Sequence, residues 1–260
     1  MDDPRIVSRQ PVAIGRDFTV EIVSHNIWPV TANALVLHLP QPRPVLCAYQ
    51  GYRRVTAVCN IYHPPALWNA VDNHSMTYRT YSSRVHRGLL AALLPGERVA
   101  VVSTGVDMKD HVMVEETYDR LWVQAWVTAG VKNNAIRVGR DKAAGIETRG
   151  LYRSLGTINI IVLTSASLGQ AAMASSFITI TEAKTAALQD LDIRSSYHPE
   201  WPATGTSTDQ IAVVSGTGER CFYVSGQVKL GELMARAVTR GVIQAIIKSG
   251  SHNIASEQRD

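Results

Sequence analysis

GTINIIVL (Gly156–Leu163), TEAKTAALQDL (Thr181–Leu191) and ATGTSTDQIAVV (Ala203–Val214) decide how this chain is read. The first is a short apolar run bounded by Gly156, which predicts a buried strand over Thr157–Leu163. Leu168–Leu191 carries apolar residues at helical spacing, with an expected break near Thr179. Gln210–Ser215 is again a Val/Ile-rich strand, and Gly216-Thr217-Gly218 turns the chain toward a further strand over Cys221–Val224. Strand, helix, strand in this order predicts an α/β fold, a mixed sheet with helices on its faces.

Working outward, Phe18–Ser24, Ala34–Leu39, Val55–Tyr62, Arg98–Ser103 and Leu121–Val131 read as strands. Asn26–Asn33 reads as a hairpin loop, and PQPRP (Pro40–Pro44) as a stiff connector. Ser82–Leu94 and Leu230–Lys248 read as helices. The second has Leu230, Leu233, Met234, Ala237 and Val238 as its apolar stripe. Trp122, Trp126, Ile160, Val162 and Val213 are expected in the core. AVVSTG (Ala100–Gly105) echoes AVVSGTG (Ala212–Gly218), with Asn60 before one copy and Asn159 before the other. Two readings stay open here: pseudo-related halves facing each other across a site, or chance likeness of valine-rich strands. Residues 1–250 are read as one domain and 251–260 as a polar tail.

Composition narrows the function classes. With 45% hydrophobic and 18% charged residues, the 260-residue chain buries a sizeable core. The net charge of +4 comes from scattered Lys and Arg, not from the stripe that nucleic acid binding wants. The three cysteines, Cys47, Cys59 and Cys221, and the scattered histidines offer no metal-ligand spacing. No window is apolar enough to span a membrane, and MDDPRIVSRQP lacks the apolar core of a signal peptide. The expectations are a cytoplasmic protein with a small-molecule substrate, no metal, no cofactor, no nucleic acid and no membrane partner. A homo-oligomer is compatible with all of this.

Chemistry-bearing residues cluster in the three opening strings. Thr157 and Asn159 are two apart, so they share a sheet face. A buried Asn there is either an amide that grips substrate or a tie for a neighbouring loop. Thr179 and Glu182 fit a helix capping box, the structural alternative to a chemical role for Glu182. Thr181 and Lys184 share a helix face, whereas Glu182 lies nearly opposite Lys184. Thr204, Thr206, Thr208 and Asp209 crowd one loop, which is either a pocket wall or an ordinary turn. Glu232 and Arg236 form an i,i+4 pair, and Lys229 stands at the start of that helix. No GxSxG elbow is present, and Cys59 with His63 is the one Cys–His pairing near a strand.

Together the three strings resemble the adenosylcobinamide amidohydrolase family. SGQVKLGELMARAV (Ser225–Val238) and WVTAGVKNNAIRVGRD (Trp126–Asp141) resemble further segments of it. The likeness runs over about Val99–Val242 and is strongest from Gly156. In the first third, VTAVCNIYHPP (Val55–Pro65) stands where the family typically has Ser-Ser-Ala and then Gly-Gly. The resemblance implies hydrolysis of the amide that joins cobinamide's corrin ring to its aminopropanol arm, a step of corrinoid salvage. It implies catalytic roles for Glu182, Lys184 and Asp209. It implies substrate contacts from Thr157, Asn159, Thr181, Thr204, Thr206, Thr208, Asn133 and Lys229, converging on one cleft. A same-fold hydrolase or acyltransferase acting on another amide or ester, and a non-catalytic corrinoid-binding protein, remain alternatives.

Overall fold

The computed structural model describes residues 4–15, 17–27, 30–67, 87–143 and 157–251. Its strands are β1 (Arg5–Ile14), β2 (Thr19–Ile27), β3 (Val30–Cys47), β4 (Gly51–Tyr62), β5 (Val99–Thr104), β6 (Val112–Tyr118), β7 (Leu121–Ala129), β8 (Ala135–Ile136), β9 (Ile158–Thr164), β10 (Ser167–Leu168), β11 (Gly205–Thr206), β12 (Gln210–Val214) and β13 (Arg220–Cys221). The helices are α1 (Arg87–Leu93), α2 (Gln170–Asp190) and α3 (Lys229–Lys248). The main sheet is mixed, in the order β1-β2-β3-β12-β9-β7-β6, with β4 on the other edge of β3 and β5 beyond β4.

Side-chain alternation shows how this sheet curls over itself. On β4 and β5, Val58, Ala100 and Val102 face the same apolar layer as Ile161, Leu163, Ala212, Val214, Trp122 and Trp126. Their neighbours Ala57, Cys59, Ile61 and Val101 face outward to Leu89 and Leu93 of α1. On β9 and β12, Ile158, Ile160, Val162, Ile211 and Val213 face outward to α2 and α3. The period of two therefore produces four layers: α1, one half-sheet, the other half-sheet, and the α2/α3 pair. The five residues expected in the core are all buried.

Several local expectations change. Asn26 pairs with Thr31 and Ile27 with Val30, so the described residues of the Asn26–Asn33 segment belong to the β2–β3 ladder and not to a loop. PQPRP is not a connector but part of β3, which runs unbroken for 18 residues. The β3–β4 register shifts between His38 and Arg43, which lets prolines without an N–H occupy the strand. Of Cys221–Val224 only Cys221 lies in a strand, as the second residue of β13. The helix over Ser82–Leu94 is seen as Arg87–Leu93, and its first five residues lie outside the described set, as do Gly156 and the tail beyond Ser251.

Helix α2 has no break at Thr179. Its buried residues Met173, Ser176, Ile180, Ala183 and Ala187 follow a three-to-four spacing, and packing overrides the weak helix preference of Ile178-Thr179-Ile180-Thr181. The capping box expected from Thr179 to Glu182 is thereby corrected, since both residues are mid-helix with no free N–H groups to cap.

Candidate functional site

Lys184 falls on the buried stripe of α2 and is only 7% exposed. A cation so placed needs an opposite charge. Asp209 supplies it: Nζ of Lys184 bonds Oδ2 of Asp209. The carboxylate is tightly held. The backbone N–H groups of Thr206 and Ile158 donate to it, each at 3.2 Å to Oδ1, and the Thr206 hydroxyl donates to Oδ1 as well. Gly205 closes over the pair. A Cβ there would lie 2.4 Å from Asp209 Oδ2 and 2.6 Å from Lys184 Nζ, so only glycine lets the backbone cross at this height. Strand β11, which contains Gly205, is anchored by antiparallel pairing to β8. Thr185 donates to the Thr204 carbonyl at 3.1 Å, tying α2 to the same loop.

A second polar group lies on the inner face of the same strand ends. Asn159 of β9 is fully buried; its Nδ2 donates to Oδ1 of Asn60 on β4 at 2.8 Å. Asn60 in turn donates through Nδ2 to the Thr128 hydroxyl of β7 at 3.0 Å. Gln210, opposite Asn159 in register, donates to the Ser103 carbonyl of β5 at 2.9 Å. The inter-sheet layer is thus apolar at one end and amide-lined at the other. Oδ1 of Asn159 has no partner in this arrangement. A buried acceptor left so costs roughly 1–3 kcal/mol.

Thr157 joins the two groups. It precedes β9, its hydroxyl donates to the Thr208 carbonyl beside Asp209, and its carbonyl accepts from the N–H of Gly130 at 3.1 Å. Tyr62 and Thr104 end β4 and β5 at this same end of the molecule. Burial, with Asp107 and Asp110 nearby, raises the Tyr62 phenol above its ordinary value.

Of the residues singled out in the sequence, Lys184, Asp209, Thr206, Thr208 and Thr157 form one connected cluster. Asn159 sits at the same strand ends but on the opposite face from Lys184, so one cleft becomes two linked polar faces. Thr204 bonds the β8 backbone instead: its hydroxyl donates to the Ile136 carbonyl and accepts from the Val138 N–H. Glu182 and Thr181 are exposed. Two residues along a helix is about 200° of rotation, so Glu182 leaves α2 away from Lys184. Asn133 is exposed beside buried Asn134.

Lys229 is a plain correction. It pairs with Glu232 and lies over the Tyr118 ring at 4.6 Å. Tyr118 pairs with Leu121 just past the C-terminal end of β9, roughly 25 Å or more along the strand from Thr157. Glu232 also takes the expected bond from Arg236, at 2.9 Å. Cys59 is fully buried on the α1-facing side, and desolvation pushes its thiol up to about 12, which makes a thiolate nucleophile there unfavourable.

Asn60, Thr128 and Gln210 were missed as site residues. The signal for Asn60 was in the echo: β4–α1–β5 and β9–α2–β12 are both parallel pairs, and each carries its Asn on the inner face. Among the described residues no group of three His, Cys, Asp or Glu side chains is placed to hold a metal, and no helix is long and apolar enough to cross a membrane.

Two solved structures align with most of the chain at low identity. A protein from Pyrococcus horikoshii OT3 aligns over 95% of this chain and 84% of its own, at 8% identity and a TM-score of 0.39. A Burkholderia sp. beta-aminopeptidase aligns over 99% and 92%, at 11% identity and a TM-score of 0.40. Sequence relatives are much nearer. An uncharacterised protein of Methanocaldococcus jannaschii is 41% identical over 82% of this chain and 86% of its own length. An adenosylcobinamide amidohydrolase of Methanosarcina mazei is 30% identical over 54% of this chain and 62% of its own. The family model for adenosylcobinamide amidohydrolase (CbiZ) matches residues 19–253, reaching back through the first third where the family's usual strings are replaced. The chain therefore belongs to the adenosylcobinamide amidohydrolase family.

Proposed function

We propose that this protein hydrolyses the amide joining the corrin ring of adenosylcobinamide to its aminopropanol arm, releasing adenosylcobyric acid. The family match carries the substrate class. The observation that carries the chemistry is the water-poor contact of Lys184, Asp209 and Thr206 at the strand ends. Amide hydrolysis builds negative charge on the carbonyl oxygen, and Lys184 supplies a fixed positive charge for it. The Thr206 hydroxyl bonds Asp209, which Lys184 orients, so this hydroxyl and carboxylate form the route by which a proton leaves the attacking group. Glu182, exposed and turned away, has no part in this reading. The corrinoid is taken up as a small-molecule substrate, and the site uses the chain's own side chains.

The test is release of the aminopropanol arm as free amine. Wild type turns over, and Asp209→Asn loses on the order of 10²-fold or more in kcat while remaining folded. Full turnover by Asp209→Asn removes the carboxylate from the mechanism.

A further inference from the structure

The mechanism above leaves the inner polar face unused, and its geometry is specific. Asn159 presents one amide atom to Asn60 and leaves the other without a partner. In the structure the three groups form a relay: Asn60 Nδ2 donates to the Thr128 hydroxyl, Asn60 Oδ1 accepts from Asn159 Nδ2, and Asn159 Oδ1 is left over. The group left over is therefore a carbonyl oxygen, an acceptor and not a donor. It lies two residues into the sheet from Thr157, on Thr157's face, in a fully desolvated position.

We infer that Asn159 is a specificity-determining residue that reads the N–H of a secondary amide, with Asn60 and Thr128 as positioning residues that fix its orientation. The inference rests on the amide-hydrolase reading and names what that reading leaves open, how an amide is told from an ester. When that end of the sandwich opens to substrate, an N–H donor satisfies the empty acceptor. An ester presents a lone pair there instead and leaves the acceptor unpaired. Buried polar groups discriminate strongly in this way, because the wrong ligand leaves them unmatched. Asn60→Leu and Asn159→Leu remove the acceptor or its orientation. Thr128→Val removes only the far end of the relay and keeps the shape of the side chain.

The experiment compares adenosylcobinamide with its ester analogue, in which oxygen replaces the bridging N–H, on wild type and the three variants. Wild type is expected to prefer the amide in kcat/KM. Each variant is expected to lose at least about tenfold of that preference, with turnover of the ester little changed. Thr128→Val keeps the test decisive if either Asn variant fails to fold. An equal loss on both substrates means a purely structural role and overturns the inference, as does an unchanged ratio. A water on Asn159 Oδ1 in the substrate-bound crystal structure also overturns it. If wild type hydrolyses neither compound, the amidohydrolase reading has failed, and the ratio of equilibrium binding constants for the same two ligands decides this inference instead: an amide preference lost in the variants supports it, and equal or no binding overturns it.

Discussion

Asn159 and Asn60, 99 positions apart in the chain, meet amide to amide across the two half-sheets, Nδ2 of Asn159 donating to Oδ1 of Asn60 at 2.8 Å. The bond crosses a layer that is otherwise hydrocarbon toward Trp122 and Leu163. It joins β4 near its C-terminal end to β9 near its start, each the first strand of a parallel pair. The contact lies at the same strand ends as the Lys184–Asp209 pair, on the opposite face of the sheet.

Gly205→Ala is expected to damage activity more than the fold. The added methyl group would press on both Asp209 Oδ2 and Lys184 Nζ, so the pair must separate. A fall in kcat on the order of tenfold or more, with Tm lowered by no more than the roughly 5–10 °C of losing the pair outright, is the expected result of paired kinetics and thermal melts.

Lys184→Met leaves Asp209 without its cation in a site that is mostly shielded from water. Breaking such a pair costs about 3 kcal/mol or more, which for a chain of this size lowers Tm by roughly 5–10 °C. If KM rises while kcat holds, Lys184 contributes binding alone and not transition-state stabilisation.

Glu182→Gln is expected to do almost nothing. The residue is exposed at mid-helix, so stability should change by no more than about 0.5 kcal/mol and turnover should stay near wild type. A large loss of kcat in a folded Glu182→Gln protein would return this carboxylate to the site.

His25 should make stability pH-dependent. It is fully buried, and desolvation lowers its imidazole from 6.5 to about 4. Between these values the unfolded chain binds a proton that the folded one refuses, so stability is complete above pH 6.5 and falls as pH drops toward 4, by up to about 3 kcal/mol. Denaturant melts of wild type and His25→Phe across this window should converge as pH falls. Parallel curves would show that His25 is not the titrating group.

The layers were legible because β9, β12 and β5 are near-continuous apolar runs, as strands covered on both faces must be. The Lys184–Asp209 cluster was legible because its residues sit in strings specific to the family. What was not legible has physical reasons. The β-branched run through Thr179 weakens a helix that packing then enforces. The prolines of β3 sit at a register shift that no local rule announces. Lys229 lies at a helix start, as an anion site would, but a Glu one turn on occupies it. Asn60 looked like one polar residue inside an apolar strand, and only the folding of one half-sheet over the other gives it Asn159.

The most direct test of the central claim is mass spectrometry of adenosylcobinamide after incubation with the purified protein. Conversion to adenosylcobyric acid with release of the intact aminopropanol arm is expected of wild type and not of Asp209→Asn. An unchanged corrinoid mass, under conditions where the folded wild-type protein binds the compound, would contradict it.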